Sequence, residues 1–417
     1  MNIRISYMSI FLFFICSRGY SCSIFYAKND SVILAGNNED FTNTNTRIKI
    51  NPPTDNTYGS IIFSFDNLFP QGGINDQGLF FDWAALNFLE FDPDFRAKGT
   101  RKYNGRIIQH MIESCATVEE VIQLYKTYNN PDFGHAHIIV GDKSGNCVVI
   151  ERAEEDSLCF IRIQGNYQIE TNFLNAYLSD PKISRWFYCE RYRYIETRLK
   201  ENPPLTVDLY AEILKQVGNN GKYAPTVYSY IYDFKAEKVY VYNYYNFEET
   251  LVLNLRDEMN KGSNVLVIPD LFSHLKGRCP VSDVEVDTSD LKFEFYGDAN
   301  KYEIWIDENE NFTDPKIISY DDLPENKARM GIIPVLVIFL FFGSLLFNKA
   351  KSGTLILFLI FFMSCAKTVE LPSTSYGLLH TVKISGLEKG KEYYWKVKAL
   401  NDNGYDTETK VYRFKTR

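Results

Sequence analysis

Our prediction of the fold begins with Cys22-Ser23-Ile24-Phe25-Tyr26, a β-rich run near the start of the 417-residue sequence. Together with Ser31-Val32-Ile33-Leu34-Ala35 it predicts a hairpin around the turn Lys28-Asn29-Asp30, because apolar runs flank a cluster of turn-forming polar residues. Cys22 would then stand at the head of a strand.

The segment before Cys22 is typical of a secretory signal peptide. Arg4 precedes an apolar run over residues 5–15, and the small residues Gly19 and Ser21 follow it. The run is shorter than the roughly 20 residues that a membrane-spanning helix needs. We therefore expect export and cleavage after Ser21, which makes residues 1–21 the signal peptide. Lipidation of Cys22 is the weaker alternative, because Gly19 stands where a bacterial lipobox usually has Leu.

A cysteine freed by such cleavage can supply both a nucleophile and a base. The thiolate attacks, and the α-amino group, with a pKa of about 7.7, accepts the proton without help from a histidine. Other roles stay open at this point: Cys22 could be lipidated, disulfide-bonded or idle, and a papain-like pairing with a distant histidine fits the sequence as well. His135 and His137 share a strand face, but no third ligand at metal-binding spacing accompanies them.

The chain from 22 to 255 alternates strand patterns with pairs of amphipathic helices. This order predicts an α+β fold with helices packed outside paired sheets. A capping box formed by Thr117 and Glu120 marks the start of one helix. The predicted helices cover residues 105–113, 118–125, 186–199 and 207–216.

Several motifs in this region, taken in order, resemble the linear amide C–N hydrolases, the N-terminal-nucleophile family that includes penicillin V acylases, choloylglycine (bile salt) hydrolases and acyl-CoA:penicillin acyltransferases. The resemblance covers about residues 22–255 and implies a four-layer αββα sandwich with the nucleophile at the end of a central strand. The matching motifs are Cys22-Ser23-Ile24-Phe25, Gly36-Asn37-Asn38-Glu39-Asp40-Phe41, Gly73-Ile74-Asn75-Asp76-Gln77-Gly78-Leu79, the segment 137–151, Thr171-Asn172 and Cys189-Glu190-Arg191-Tyr192.

The resemblance also assigns roles to individual residues. Cys22 matches the nucleophile, and Asp40 matches the aspartate that orients the N-terminal amine. Asn172 matches an oxyanion-hole amide, which must donate to the tetrahedral oxygen. Arg191 matches the arginine near the nucleophile, where a cation would lower the thiol pKa. Arg193 and Arg185 are rival positions for that arginine.

Two positions depart from the family pattern. Bile salt and penicillin V enzymes carry an Arg three residues before the aspartate, and Asn37 stands there in this chain. Asn87 resembles a second oxyanion donor, but it lies two residues further along than expected. On a strand that shift moves a side chain by about 7 Å, so Trp83 and Asp82 compete with Asn87 for this part of the pocket.

The region after residue 255 has a different character. We expect a linker over 256–284 and a β-sandwich over 285–417, because its strands alternate apolar with polar residues. The segment Leu387–Asn401 resembles the tyrosine-corner region of a fibronectin type III domain. Two apolar runs within 331–364, joined by a basic turn at Lys349 and Lys351, interrupt this domain and predict a membrane hairpin. Re-entrant segments and buried core helices are the alternatives.

Composition limits the partners. The net charge of −8 excludes a basic surface for nucleic acid, and no phosphate-binding glycine loop or metal-ligand spacing predicts a cofactor. The family resemblance implies an enzyme acting on a small-molecule N-acyl amide. The signal peptide predicts its export, and the apolar hairpin at 331–364 predicts a membrane tether. Acyl transfer from the same thioester, a non-catalytic exported scaffold and a homo-oligomer remain open from sequence.

Overall fold

The computed structural model describes residues 22–86, 91–179, 189–221, 224–281, 284–321 and 376–417. The predicted signal peptide, Asn87, Arg185 and the apolar hairpin at 331–364 lie outside these ranges. Within them, no helix combines the length and the apolar character that crossing a membrane requires.

Strands outnumber helices in the described chain. The helices are α1 Ile107–Ser114, α2 Val118–Thr127, α3 Glu190–Lys200, α4 Val207–Val217 and α5 Leu255–Asn260. The strands of the first part are β1 Ser23–Lys28, β2 Ile33–Asp40, β3 Thr46–Asn51, β4 Ser60–Phe65, β5 Gly72–Asn75, β6 Leu79–Ala85, β7 Arg101–Lys102, β8 Tyr128–Asn129, β9 Ala136–Asp142, β10 Cys147–Ala153, β11 Ser157–Arg162, β12 Tyr167–Glu170, β13 Thr226–Asp233, β14 Lys238–Asn243, β15 Glu249–Asn254 and β16 Asn264–Val267.

The second part is built from strands. They are β17 Lys276–Cys279, β18 Val284–Val286, β19 Lys292–Gly297, β20 Lys301–Asp307, β21 Lys316–Asp321, β22 Leu378–Lys383, β23 Glu392–Leu400, β24 Thr407–Thr409 and β25 Tyr412–Thr416. Short 3-10 turns cover Pro131–Gly134, Glu154–Asp156, Asn175–Ser179, Ile268–Leu271 and Thr288–Asp290.

The N-terminal part has the four layers expected from the sequence. One sheet contains β12-β1-β2-β13-β14-β15 in that order, and the other contains β11-β10-β9-β6-β5-β4-β3-β16. Ile24 and Tyr26 of β1 point into the core between the sheets, where they meet residues such as Phe80. Phe25 packs on the opposite face against α3 and α4, and α1 and α2 cover the outer face of the second sheet.

The β1–β2 hairpin forms where the sequence predicts it. Asn29 closes the turn, because its side-chain oxygen accepts hydrogen bonds from the backbone N–H groups of Ser31 and Val32 at 2.9 and 2.8 Å. Both strands are central and buried. Cys22 immediately precedes β1, so the hairpin fixes its position in the sheet.

The first sheet continues into the C-terminal part. β15 pairs with β24, and β24 pairs with β23, so hydrogen bonds run without a break from the β1 sheet to β20 and β21. The stretch 256–284, expected to be a linker, contains β16, which pairs with β3 of the second sheet. Both parts are thus joined by backbone pairing.

The C-terminal strands enclose a core of their own. β17, β19 and β22 form a small sheet that faces β20, β23 and β25, and Phe293, Trp395 and Phe414 fill the space between them. The Tyr393 hydroxyl accepts a hydrogen bond from the backbone N–H of Glu388 at 3.1 Å, the local contact of a tyrosine corner. The type III assignment of this β-sandwich stays a prediction.

Candidate active site

A row of four side chains, one from each of four neighbouring strands or strand ends, crosses the first sheet at Cys22. The β1–β2 register pairs Ser23 with Asn38, which places Cys22 opposite Glu39. The β1–β12 register pairs Ile24 with Glu170, which places Cys22 opposite Asn172 two residues further along. β13 then pairs Tyr228 with Glu39. Because directly opposite residues share a sheet face, the order across the sheet is Asn172, Cys22, Glu39 and Tyr228.

Cys22 and Glu39 are in contact. The Cys22 thiol donates a hydrogen bond to Glu39 Oε1, with Sγ and Oε1 3.8 Å apart, and the Tyr228 hydroxyl donates to Glu39 Oε2 at 3.4 Å. All three side chains are buried. Burial raises the pKa of Tyr228, so its hydroxyl stays a donor over the pH range in which a cysteine titrates.

Arg191 on α3 forms hydrogen bonds with three residues in and beside this row. Its Nη1 donates to the backbone carbonyl of Cys22 at 2.5 Å and to Ser23 Oγ at 2.7 Å, and its Nη2 donates to Asn172 Oδ1 at 3.0 Å. The planar guanidinium fork suits this arrangement, because two of its nitrogens reach separate acceptors. The structure brings Arg191 to Cys22, whereas the rival Arg193 is exposed on the same helix.

Asn172 is held in place at both ends of its amide. Its oxygen accepts from Arg191, and its Nδ2 donates to the carbonyl of Ala85 at 2.9 Å. An amide nitrogen has two hydrogens, so one N–H remains for an oxyanion formed at the neighbouring Cys22. Asn87, the other predicted donor, lies outside the described residues.

Asp40 ends β2 and is fully buried. Thr226 Oγ1 donates a hydrogen bond to Asp40 Oδ1 at 2.5 Å. The Asp40 carboxylate lies close enough to Cys22 for its charge to oppose ionisation of the thiol, whereas the Asp40 backbone N–H favours it. The two residues are therefore neighbours, as the sequence predicts.

Asp82 adds a further carboxyl group to this region. It lies on the inner face of β6, and the Tyr230 hydroxyl donates to its Oδ2 at 2.5 Å. Gly72 makes room for the pair, since a Cβ at that position would lie 2.1 Å from Asp82 Oδ2. Trp83 points to the other face of the sheet and packs on Phe133, so of the two competitors predicted for the pocket only Asp82 faces Cys22.

Three carboxyl groups surround the Cys22 thiol. Burial, followed by the charges of Glu39, Asp40 and Asp82, raises the pKa of the Cys22 thiol well above its ordinary value. Burial and the Asp40 charge raise the pKa of Glu39 to about 8, and burial and the Glu39 charge raise that of Asp82.

Asn37, which replaces the family arginine, faces the same inter-sheet space one row away. It pairs with Ile24 of β1 and Tyr230 of β13. In the described part of the chain neither polar atom of its buried side chain has a hydrogen-bond partner. Its amide is close enough to Glu39 to lower the pKa of that carboxyl.

A buried brace supports the segment that contains Asn172. His137 donates through Nε2 to the backbone carbonyl of Thr171 at 2.6 Å, and its Nδ1 lies 3.2 Å from Glu151 Oε2. Glu151 also accepts the backbone N–H groups of Asn175 and Ala176 at 2.9 and 2.8 Å. His137 and Glu151 therefore fix the backbone on both sides of Asn172. Within the described ranges no cluster of three or more potential metal ligands occurs.

Glu39 and Tyr228 were missed by the sequence analysis. A signal for Glu39 exists, because Asn37-Asn38-Glu39-Asp40 is a run of polar residues that the structure buries within one strand. Such a run is unusual for a buried strand and is a signal for a candidate functional site. Tyr228 carries no comparable signal, since the strand around it contains several tyrosines.

No protein-family model matches the chain, and no curated protein matches it. Among solved structures, penicillin V acylase from Agrobacterium tumefaciens is similar, with 15% identity and a TM-score of 0.44 over 58% of this chain and 90% of that one. A variant of conjugated bile acid hydrolase from Clostridium perfringens is similar with 14% identity and a TM-score of 0.46 over 59% and 96%.

Proposed function

We propose that this chain is a cysteine amidase of the N-terminal-nucleophile type, which hydrolyses the linear amide bond of a small N-acyl substrate. The observation that supports this most is the position of Cys22. It lies at the head of a central strand, between Asn172 and Glu39, and Arg191 donates a hydrogen bond to the backbone carbonyl of Cys22. The motif resemblance over 22–255 supports the same reaction class.

The charge around Cys22 favours cleavage before this residue. Glu39 and Asp82 are buried beside it, and their pKa values show the cost of placing negative charge there. Buried charges are stabilised by a partner of opposite sign. An α-ammonium group on Cys22 would supply positive charge next to these carboxyls and would lower the thiol pKa that burial and Asp40 raise.

The reaction follows from these positions. The Cys22 amine takes the thiol proton, and the sulfur attacks the amide carbon to form a tetrahedral oxyanion, to which Asn172 donates its remaining N–H. The ammonium then gives its proton to the leaving nitrogen, the C–N bond breaks, and a thioester remains. Water attacks the thioester as the amine accepts a proton, the C–S bond breaks, and the acid leaves with the thiol restored.

The decisive experiment has two steps. N-terminal peptide mass spectrometry of the protein from an exporting host should show a chain that starts at Cys22 with a free amine. That protein, incubated with N-acyl amides of varied acyl length, should release amine, and Cys22→Ala should release none. A blocked amine, or equal hydrolysis by Cys22→Ala, would contradict the proposal.

The acceptor of the acyl group is tested in the same assay. Adding primary amines to the reaction separates hydrolysis, in which the acid is the product, from acyl transfer, in which a new amide accumulates. We propose hydrolysis, because the mechanism then requires no acyl acceptor other than water.

The proposal also covers the cellular location of the protein and the role of residues 285–417. We propose that the enzyme is exported, that residues 285–417 form a fibronectin type III-like domain, and that the apolar hairpin at 331–364 tethers the protein to a membrane. Carbonate extraction of membranes tests the tether. The intact protein should stay with the membrane, and a variant lacking 331–364 should be released.

A further inference from the structure

Glu39 accepts the hydrogen bond of the Cys22 thiol, yet the reaction described above does not use it. The cross-strand register sets them face to face, and the 3.8 Å separation of Sγ and Oε1 leaves no room for water between them. Both groups are buried. Two negative charges at this distance in a dry site repel strongly, so the thiolate and the Glu39 carboxylate exclude each other.

We propose that Glu39 is a positioning residue whose protonation state determines whether Cys22 can ionise. The neutral carboxyl group donates its O–H to the thiolate and stabilises it, whereas the carboxylate accepts the thiol hydrogen and keeps the sulfur protonated. The catalytic meaning of this switch rests on the proposed amidase function. The switch itself is a property of the Cys22–Glu39 pair.

The neighbours of Glu39 favour its neutral form at neutral pH. Burial and the nearby Asp40 charge raise its pKa to about 8, against the opposing effects of the Cys22 thiol, the Tyr228 hydroxyl and the Asn37 amide. Asp82 competes with it for a proton across the inter-sheet space. The titratable groups facing Glu39 from the surrounding strands are Cys22 of the β1 strand end, Asp40 of β2, Tyr228 and Tyr230 of β13, and Asp82 of β6.

The experiment measures the thiol without any amide substrate. The processed chain and its Glu39→Gln variant are treated with iodoacetamide between pH 6 and 10, and alkylated Cys22 is quantified in its peptide by mass spectrometry. Gln keeps a neutral hydrogen-bond donor and cannot ionise. We expect alkylation of the variant to be at least about tenfold faster above about pH 8, where Glu39 of the parent is ionised, because a shift of one unit in the thiol pKa produces this change. Below that pH the two profiles should converge.

Two further variants make the result specific. Glu170→Gln removes another buried inter-sheet carboxyl, opposite Ile24 instead of Cys22, and should leave the alkylation profile within about twofold of the parent. Tyr228→Phe keeps Glu39 but removes the hydrogen bond that favours its carboxylate. It should therefore speed alkylation above neutral pH, and it serves as the second test if Glu39→Gln folds poorly.

An unchanged or slower profile in Glu39→Gln, an equal gain in Glu170→Gln, or a Cys22 that is inert in the parent and in both Glu39→Gln and Tyr228→Phe would overturn the inference. Because alkylation needs no amide substrate, these outcomes are independent of whether the chain hydrolyses amides. A chain that shows the predicted alkylation shift but no hydrolysis would retain the switch and lose the proposed function.

Discussion

At the scale of single residues, Arg191 organises the candidate site through its shape as much as its charge. Its two terminal nitrogens contact the Cys22 carbonyl, Ser23 Oγ and Asn172 Oδ1. A lysine has one nitrogen at the end of a flexible chain and cannot span these acceptors. The fork therefore sets the distance between the nucleophile and the oxyanion donor.

Arg191→Lys should lower kcat/KM for amide hydrolysis by about 10- to 100-fold, the effect of losing a hydrogen bond to a charged group worth roughly 1.5–3 kcal/mol. The melting temperature should change little, because Arg191 is only half-buried and its replacement by lysine does not alter the packing of the core. Arg193→Lys, two residues further on the exposed side of the same helix, is the matched control. Equal losses in both variants would show that the helix, and not the fork, is responsible.

Glu39 also links stability to pH. Its pKa rises from an ordinary value of 4.5 to about 8 in the folded chain, so between these values the folded state keeps a proton that the unfolded state has lost. The free energy of unfolding must then fall as pH rises through this window, by at most about 1.4 kcal/mol per pH unit. Below 4.5 both states are protonated and the penalty is absent.

Glu39→Gln should reduce this loss of stability between pH 5 and pH 8.5. Urea unfolding of the parent and the variant at both pH values provides the measurement, with the exposed Glu154→Gln as the control. Parallel pH dependences in the parent and Glu39→Gln would show that Glu39 does not hold a proton in the folded chain.

The residues of the site were predictable to different degrees. Motif order named Cys22, Asp40, Asn172 and Arg191 as candidates, because each belongs to a short segment that can be recognised without the fold. Glu39 lies inside one of those segments, but its contact with Cys22 depends on the β1–β2 register, and the sequence does not state that register.

At the scale of secondary-structure elements, local signals located the boundaries well. Thr117 and Glu120 form the predicted capping box, and α2 begins at Val118 as expected. The prediction of this helix ended at Tyr125, and the structure continues it to Thr127. The order of strands in the sheets was beyond the sequence, because pairing depends on contacts between distant segments and not on local propensity.

The brace between β9, β10 and the segment after β12 is an element-scale feature with a measurable role. Glu151 accepts hydrogen bonds from the backbone N–H groups of Asn175 and Ala176, and its Oε2 lies 3.2 Å from His137 Nδ1. Gln at this position has a single acceptor oxygen, so a buried donor loses its partner at a cost of about 1–3 kcal/mol. The segment that positions Asn172 should loosen as a result.

Glu151→Gln should therefore increase amide hydrogen exchange in residues 171–176 and lower kcat while leaving the exchange of α2 unchanged. Glu154→Gln, on the exposed turn that follows β10, is the control for the loss of a nearby charge. Unaltered exchange in residues 171–176 would show that His137 alone holds this segment.

At the scale of the whole molecule, the N-terminal and C-terminal parts, which the sequence pattern separates, belong to one continuous sheet. The change in strand pattern after residue 255 predicted a linker and a separate β-sandwich, yet β15 and β24, some 150 residues apart, lie side by side in one sheet. Pairing over such a separation leaves no local trace in either strand. Backbone hydrogen bonds between β15 and β24 connect the two parts in one sheet. We therefore expect the two parts to unfold together.

Glu249 lies where the two parts meet and provides the test of that coupling. Its buried carboxyl accepts the backbone N–H groups of Ser273 and Leu275 and the hydroxyl of Thr407, at 2.7, 3.0 and 2.6 Å. Glu249→Ala leaves three buried donors without their acceptor, which should cost at least about 3 kcal/mol. Because the ladder couples the parts, the parent should unfold in one transition, and the variant should shift that transition as a whole.

Chemical denaturation followed by hydrogen exchange mass spectrometry reads both parts separately, through peptides of β2 and of β23. Both should lose protection at the same urea concentration in the parent and at the same lower concentration in Glu249→Ala, whereas Glu310→Ala on an exposed turn should match the parent. If β23 opens before β2 in the parent, the sandwich is an independent unit and the β15–β24 ladder contributes little to the stability of the site. If the two open together, the position of Cys22 depends on a strand pair more than 200 residues downstream, and mutations in the C-terminal part will lower activity without touching the site.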